Sequence, residues 1–197
     1  MATLEFWYEF ASTYSYLAAG RINAVAAEAR VPVVWKPFLL GPIFASQGLT
    51  DSPFNVFPVK GAYMWRDMER YCIRYGLPLR RPSVFPRNGL LAARVALVGV
   101  DEGWCPDFTP AVYRANFGED QDVSDPAVIG LILSGLGLDA DRILEAAVAQ
   151  PNKDRLRAQS EEALSRGIFG APTFFIGSEM FWGNERLEDA LDMARLL

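Results

Sequence analysis

The 197-residue chain is long enough for one domain of ordinary size or for a small domain with a large insertion, and 51% hydrophobic and 13% aromatic content with 22% scattered charge excludes a disordered chain. A net charge of −5 argues against nucleic acid or a membrane surface as partner, since both select a basic face. With no histidine and only Cys72 and Cys105, Ser-His-Asp and Cys-His catalysis are excluded and a protein-built zinc site is not expected, so any chemistry must use hydroxyls, carboxylates, lysine, arginine, backbone amides or a borrowed cofactor.

Residues 3–10 alternate, with Leu4, Phe6, Tyr8 and Phe10 on one side and Glu5, Trp7 and Glu9 on the other, which predicts a first strand. Glu5 and Glu9 also interrupt the apolar run that a secretory signal needs, and no stretch reaches the roughly 18 apolar residues of a membrane span, so a cytoplasmic location is expected. From Tyr14 onward, Leu17, Ala18, Ile22, Val25, Ala26 and Ala29 recur at helical spacing, with Ser12 placed to cap that helix. Residues 31–40 are β-branched and apolar between prolines and predict a second strand ending near Pro37. A strand, helix and strand in this order normally make a parallel pair.

The stretch 41–58 is rich in glycine, proline and serine and reads as a connection; a helix is predicted over 61–75, with Met64, Met68, Tyr71, Cys72 and Tyr75 on one face. Short helices are predicted over 88–100, 106–117, 125–136 and 139–149, the third capped by Asp125 with Pro126 in its first turn and the fourth by Asp139. A helix capped by Asn152 is predicted to run to Arg166 and end at Gly167. Two strands, 173–176 and 179–182, follow across a hairpin at Gly177-Ser178, and Asn184 is placed to cap a last helix. The order fits an α/β chain: a thioredoxin-like four-stranded mixed sheet built from residues 1–40 and 155–197, with a large all-helical insertion over 41–154. Where a redox thioredoxin carries its reactive C-x-x-C, this chain has Ser12-Thr13-Tyr14-Ser15, and Ala171-Pro172-Thr173 stands at the place of the cis-proline.

Three blocks carry a family resemblance: F-W-Y-E-F-A-S-T-Y-S-Y-L at 6–17, P-V-K-G-A-Y-M-W-R-D at 58–67, and G-I-F-G-A-P-T-F-F-I-G-S-E-M-F-W-G-N-E-R-L at 167–187. In order and spacing the sequence resembles the 2-hydroxychromene-2-carboxylate isomerases, relatives of the kappa-class glutathione transferases, with a DsbA-like fold. The resemblance implies a glutathione-dependent isomerase and a homodimer. It puts the catalytic serine at Ser12, the glutathione backbone clamp at Ala171 beside Pro172, γ-glutamyl contacts at Asn184 and Glu185, and Lys60 at the glutathione or the neighbouring acidic substrate. Two positions depart from the family pattern: Thr13 stands where proline is usual, and Glu185 where aspartate is more common. Tyr8, Trp35, Phe38, Tyr63 and Trp182 are expected to line a pocket for a small aromatic carboxylate, with Arg87 or Lys60 at its charge. A kappa-type glutathione transferase and a non-catalytic thioredoxin-like binding module are the competing readings.

Overall fold

The predicted crossover forms from β1 (Leu4–Tyr8), α1 (Thr13–Ala29) and β2 (Val33–Pro37), and β1 and β2 pair in parallel with Phe6 beside Trp35. These elements belong to a computed structural model that describes residues 2–197. Near the other end of the chain, β3 (Thr173–Ile176) and β4 (Glu179–Trp182) form a hairpin in which Gly177 takes φ 60°, a left-handed conformation suited to glycine. Because β3 runs antiparallel to β1, the four strands form one mixed sheet in the order β2-β1-β3-β4. The sheet is thioredoxin-like, as the element order implied.

Between β2 and β3 the described chain is helical, through α2 (Leu40–Ser46), α3 (Pro53–Val56), α4 (Pro58–Tyr75), α5 (Leu90–Glu102), α6 (Cys105–Tyr113), α7 (Pro126–Gly135), α8 (Ala140–Val148) and α9 (Gln150–Ser165). After β4 comes a single 3-10 turn, Asn184–Arg186, and then α10 (Leu187–Leu196). Asp125 and Asp139 cap α7 and α8 as their spacing predicts, accepting from the amides of Ala127 and Arg142. Asn152 does not cap α9. It lies inside the first turn, and its side-chain amide donates to the carbonyls of Arg94 and Ala147, tying α9 to α5 and α8. α6 passes directly into a wide π turn, Arg114–Gly118, which buries Asn116. No helix among the described residues is long and apolar enough to cross a membrane.

Helices cover both faces of the sheet, so β1 is buried on both sides. Leu4, Phe6 and Tyr8 pack with Leu17 and Ile22 of α1, Phe108 of α6 and Leu191 of α10. On the opposite face Trp7 and Phe175 pack with Phe38, with Ile43 of α2 and with Ala163 of α9. Phe6 stacks between Tyr8 and Phe174 at centroid distances of 4.8 and 5.4 Å. Burial of each such ring contributes about 1.5 to 3 kcal/mol, enough to fix the strand that aims the following turn.

Candidate active site

β1 ends at Tyr8, and the chain turns sharply into α1, with the Ser12 amide donating to the Glu9 carbonyl at 2.9 Å. Ser12 takes the cap position of α1, where its Oγ accepts from the Ser15 amide at 3.2 Å. The same hydroxyl donates to the carbonyl of Ala171 at 3.0 Å, joining residues 159 apart in the chain. The Ala171–Pro172 peptide is cis, and Pro172 is buried behind Ala171 with its carbonyl accepting from Gly183 at 3.0 Å. The first amides of a helix have no intrahelical partner, so Ser12 stands at a place that favours an anion. Ser15, the second serine of the motif, is fully buried and does not line the cavity in front of Ser12.

That cavity measures about 1350 Å³, larger than the roughly 300 to 1,000 Å³ of an ordinary small-molecule pocket, and has room for two small ligands side by side. Ser12, Tyr14 and Ala171 lie on one side of it; Phe44, Phe54, Phe57 and Tyr63, from α2, α3, α4 and the residue between α3 and α4, supply an aromatic wall. Phe169 and Trp182, with ring centroids 4.8 Å apart, line it as well. A Cβ on Gly170 would stand 2.6 Å from the Trp182 indole nitrogen, so glycine is what lets that ring lie against the backbone.

The structure brings Ser12, Lys60, Tyr63, Ala171, Trp182 and Glu185 to this one cavity. Lys60, in the first turn of α4, has its ammonium 5.9 Å from the centre of the Phe54 ring and no ion-pair partner among the described residues. Glu185 lies in the 3-10 turn after Gly183, whose φ of 112° lies in the positive region that favours glycine, and a Cβ there would sit 2.9 Å from the Glu185 carboxylate.

Five expectations need correction. Tyr8, Trp35 and Phe38 do not line the cavity: they are core residues, because both faces of the sheet are covered. Tyr8 spends its hydroxyl on Thr109 and Cys105, 2.9 and 3.3 Å away. Asn184 neither caps α10 nor faces the cavity; it is fully buried, its carbonyl and side chain accepting from Arg21 and its amide donating to the Tyr75 hydroxyl. Arg87 borders the cavity, but its guanidinium is turned away, paired with Asp120 and donating to Asn116 and Ser83. Asp120 is held down to about 2 by the Ser83 amide and that guanidinium, so Arg87 has no charge to spare for a substrate.

The sequence reading missed Glu9, Tyr14 and Asp67, all of which line the cavity. The Tyr14 hydroxyl donates to Asp67 at 3.0 Å, and burial followed by the Asp67 charge raises its pKa. Glu9 is 8% exposed, and burial lifts its carboxyl from the ordinary 4.5 to about 7, against the opposing hydrogen bond from the Ala11 amide. A carboxyl raised on folding binds its proton more tightly in the native state, so its stabilising contribution is complete below about 4.5 and lost as pH climbs through about 7. The melting temperature of the native chain should therefore fall more between pH 5 and 8 than that of Glu9→Gln; parallel curves in differential scanning calorimetry would refute this.

Comparison with known proteins places this arrangement. A 2-hydroxychromene-2-carboxylate isomerase of Sphingobium xenophagum is 29% identical over 187 residues, 94% of each chain. Glutathione S-transferase kappa 2 of Caenorhabditis elegans is 22% identical, the match covering 96% of this chain and 90% of that one. A solved 2-hydroxychromene-2-carboxylate isomerase structure overlays with a TM-score of 0.89 at 26% identity, over 98% of this chain and 95% of the other. The family profile described as the DSBA-like thioredoxin domain matches residues 3–193, and the chain belongs to that family.

Proposed function

We propose that the protein is a glutathione-dependent isomerase of the 2-hydroxychromene-2-carboxylate kind, acting on a small conjugated aromatic acid. The observation that carries this reading is the Ser12 hydroxyl, set at a helix N-terminus against the carbonyl before a cis-proline, inside a cavity that contains no protein thiol. The donor set fits the cofactor: a hydroxyl and a helix N-terminus for the sulfur, the Ala171 backbone for the peptide, and the Glu185 carboxylate for the ammonium of the γ-glutamyl end. Bound glutathione would supply a thiolate that adds to a conjugated double bond and leaves again once that bond has turned, so it is not consumed.

The chain's own residues prepare that chemistry. A free thiol has a pKa of roughly 8.5, and a hydrogen bond to a charged group contributes about 1.5 to 3 kcal/mol, equal to about one to two pKa units. The Ser12 hydroxyl has one proton to donate, now given to Ala171. An amide donor placed at the Ala171 carbonyl competes for that acceptor and frees the hydroxyl for the sulfur. The aromatic wall of Phe44, Phe54 and Tyr63 excludes water and stacks on a flat substrate, and Lys60 offers its carboxylate an unpaired cation.

Incubation with sulfur-labelled glutathione and a cis-hydroxybenzylidenepyruvate tests the reading: the trans acid should form with all label recovered in free glutathione. Label retained in the product would establish the kappa-type transferase instead, and no glutathione binding in calorimetry would leave a binding module. The protein's own thiols are expected to be bystanders, because burial pushes Cys72 up to about 11 and raises Cys105 as well. A Cys72→Ala, Cys105→Ser double variant should keep its turnover within about twofold; a tenfold loss would implicate a thiol of the chain.

A further inference from the structure

Glu9 is the one buried carboxyl that borders the cavity and has no cation beside it among the described residues. Its two oxygens differ. Oε2 accepts the Ala11 amide at 3.0 Å, whereas Oε1 accepts no hydrogen bond from any described residue. Gly89 leaves the space that Oε1 occupies, since a Cβ there would come within 2.9 Å of it. The backbone of Glu9 is equally fixed: its carbonyl accepts from the Ser12 amide at 2.9 Å and from the Tyr113 hydroxyl at 2.7 Å. An unpartnered acceptor is thus held rigidly on the same turn as Ser12, three residues before it.

The surroundings of Glu9 favour proton exchange over ion pairing. From α6 it faces Tyr113, whose phenol is raised by burial and then by the Glu9 charge, so that hydroxyl stays neutral and donates only to the backbone. Arg87, in the loop before α5, borders the same cavity but is paired with Asp120. From α1 come the uncharged Ser12 and Thr13. A buried carboxyl without a cation costs folding energy, and a group kept at such a cost while facing a site is a candidate for chemistry there.

We propose that Glu9 is a proton-transfer residue of this site, Oε1 taking the proton from the thiol of a bound thiol cofactor as the sulfur docks at Ser12 and returning it when the cofactor leaves. The S–H bond breaks with its electron pair remaining on sulfur, an O–H bond forms on Oε1, and nothing is oxidised or reduced. The proposal rests on the glutathione reading above. It assigns separate tasks to the turn: Ser12 stabilises the anion, and Glu9 stores the proton. Because burial lifts the Glu9 carboxyl from the ordinary 4.5 to about 7, the exchange is close to balanced in both directions.

The test counts protons. Glutathione is titrated into the protein, above the midpoint of Glu9, by calorimetry in buffers of different ionisation heat, while the ultraviolet thiolate absorbance is followed. In the native protein the thiolate should appear without a matching release of protons to buffer. In Glu9→Gln, which keeps the acceptor for Ala11, the thiolate should either vanish or appear with one proton released for each thiolate formed. Glu9→Asp should restore part of the native behaviour. Proton release matching thiolate formation in the native protein would overturn the role of Glu9 even if no variant folds, and so would a Gln variant that titrates like the native protein. Absence of any binding heat sinks the cofactor reading and this proposal together, whereas binding with matched release sinks the role of Glu9 alone.

Discussion

Replacing Ser12 by alanine is expected to lower turnover near neutral pH about ten- to a hundredfold and to raise the pKa of bound glutathione by about one to two units, the equivalent of one charged hydrogen bond. The helix N-terminus remains in the variant, so part of the thiolate stabilisation survives. The substitution also removes the cap on the Ser15 amide and the link to Ala171, at a cost of about 0.5 to 2 kcal/mol, or roughly 2 to 4 °C in melting temperature per kcal/mol for a chain of this size. A purely structural role would lower the melting temperature and leave the thiol titration where it was. The catalytic role instead predicts recovery of rate at alkaline pH, where the thiol ionises without help, and retention of the low pKa in Ser12→Thr. An unchanged titration curve would remove Ser12 from the mechanism.

Gly61→Ala is expected to raise the KM for the aromatic acid several-fold while leaving the thiol pKa untouched. Gly61 lies in the second turn of α4, and a Cβ there would come within 2.1 Å of the Phe54 carbonyl oxygen of α3. Backbone cannot rotate away as a side chain does, so α3 must shift, carrying the Phe54 ring away from Lys60 and opening the aromatic wall. Overpacking of this kind costs about 1 to 3 kcal/mol, against which alanine gains up to about 1 kcal/mol over glycine in a helix interior. Net destabilisation is therefore expected. A variant that melts higher than the native protein with unaltered KM would show that α3 is not seated on Gly61.

The sheet and most helices were legible because their signals are local: alternation in β1, prolines around β2, Asp-Pro and Asp caps on α7 and α8, a glycine at the hairpin. Two kinds of information are absent from such signals. One is what lies behind a strand. Tyr8, Trp35 and Phe38 have the composition of an aromatic pocket, but β1 is central and covered on both faces, and period-two spacing is the same for a ring that meets a substrate and one that meets a helix. The alternation places Glu9 with Glu5 and Trp7 on one face of a strand, whereas the strand ends at Tyr8 and the following turn brings Glu9 to the cavity. The other is distant pairing. Arg87 has the look of an anion contact until Asp120 is found beside it, and Asn184 has the look of a cap until Arg21 claims it. The helices α2 and α3, of seven and four residues, are too short for periodicity to show, though Ser52-Pro53 marks the start of α3 much as Asp125-Pro126 marks that of α7.

The cavity draws its two sides from separate stretches of the chain. Ser12 and Ala171 come from the sheet and its turns, while Phe44, Phe54 and Tyr63 come from the run between β2 and β4's hairpin partner, most of it on α2 to α4. Under the proposed function, substitutions in residues 41–63 are therefore expected to alter which acid is accepted while leaving the Ser12 turn in place. That partition makes the scaffold a natural host for selection: a library confined to this segment is expected to explore new aromatic acids while keeping the residues assigned to the thiol.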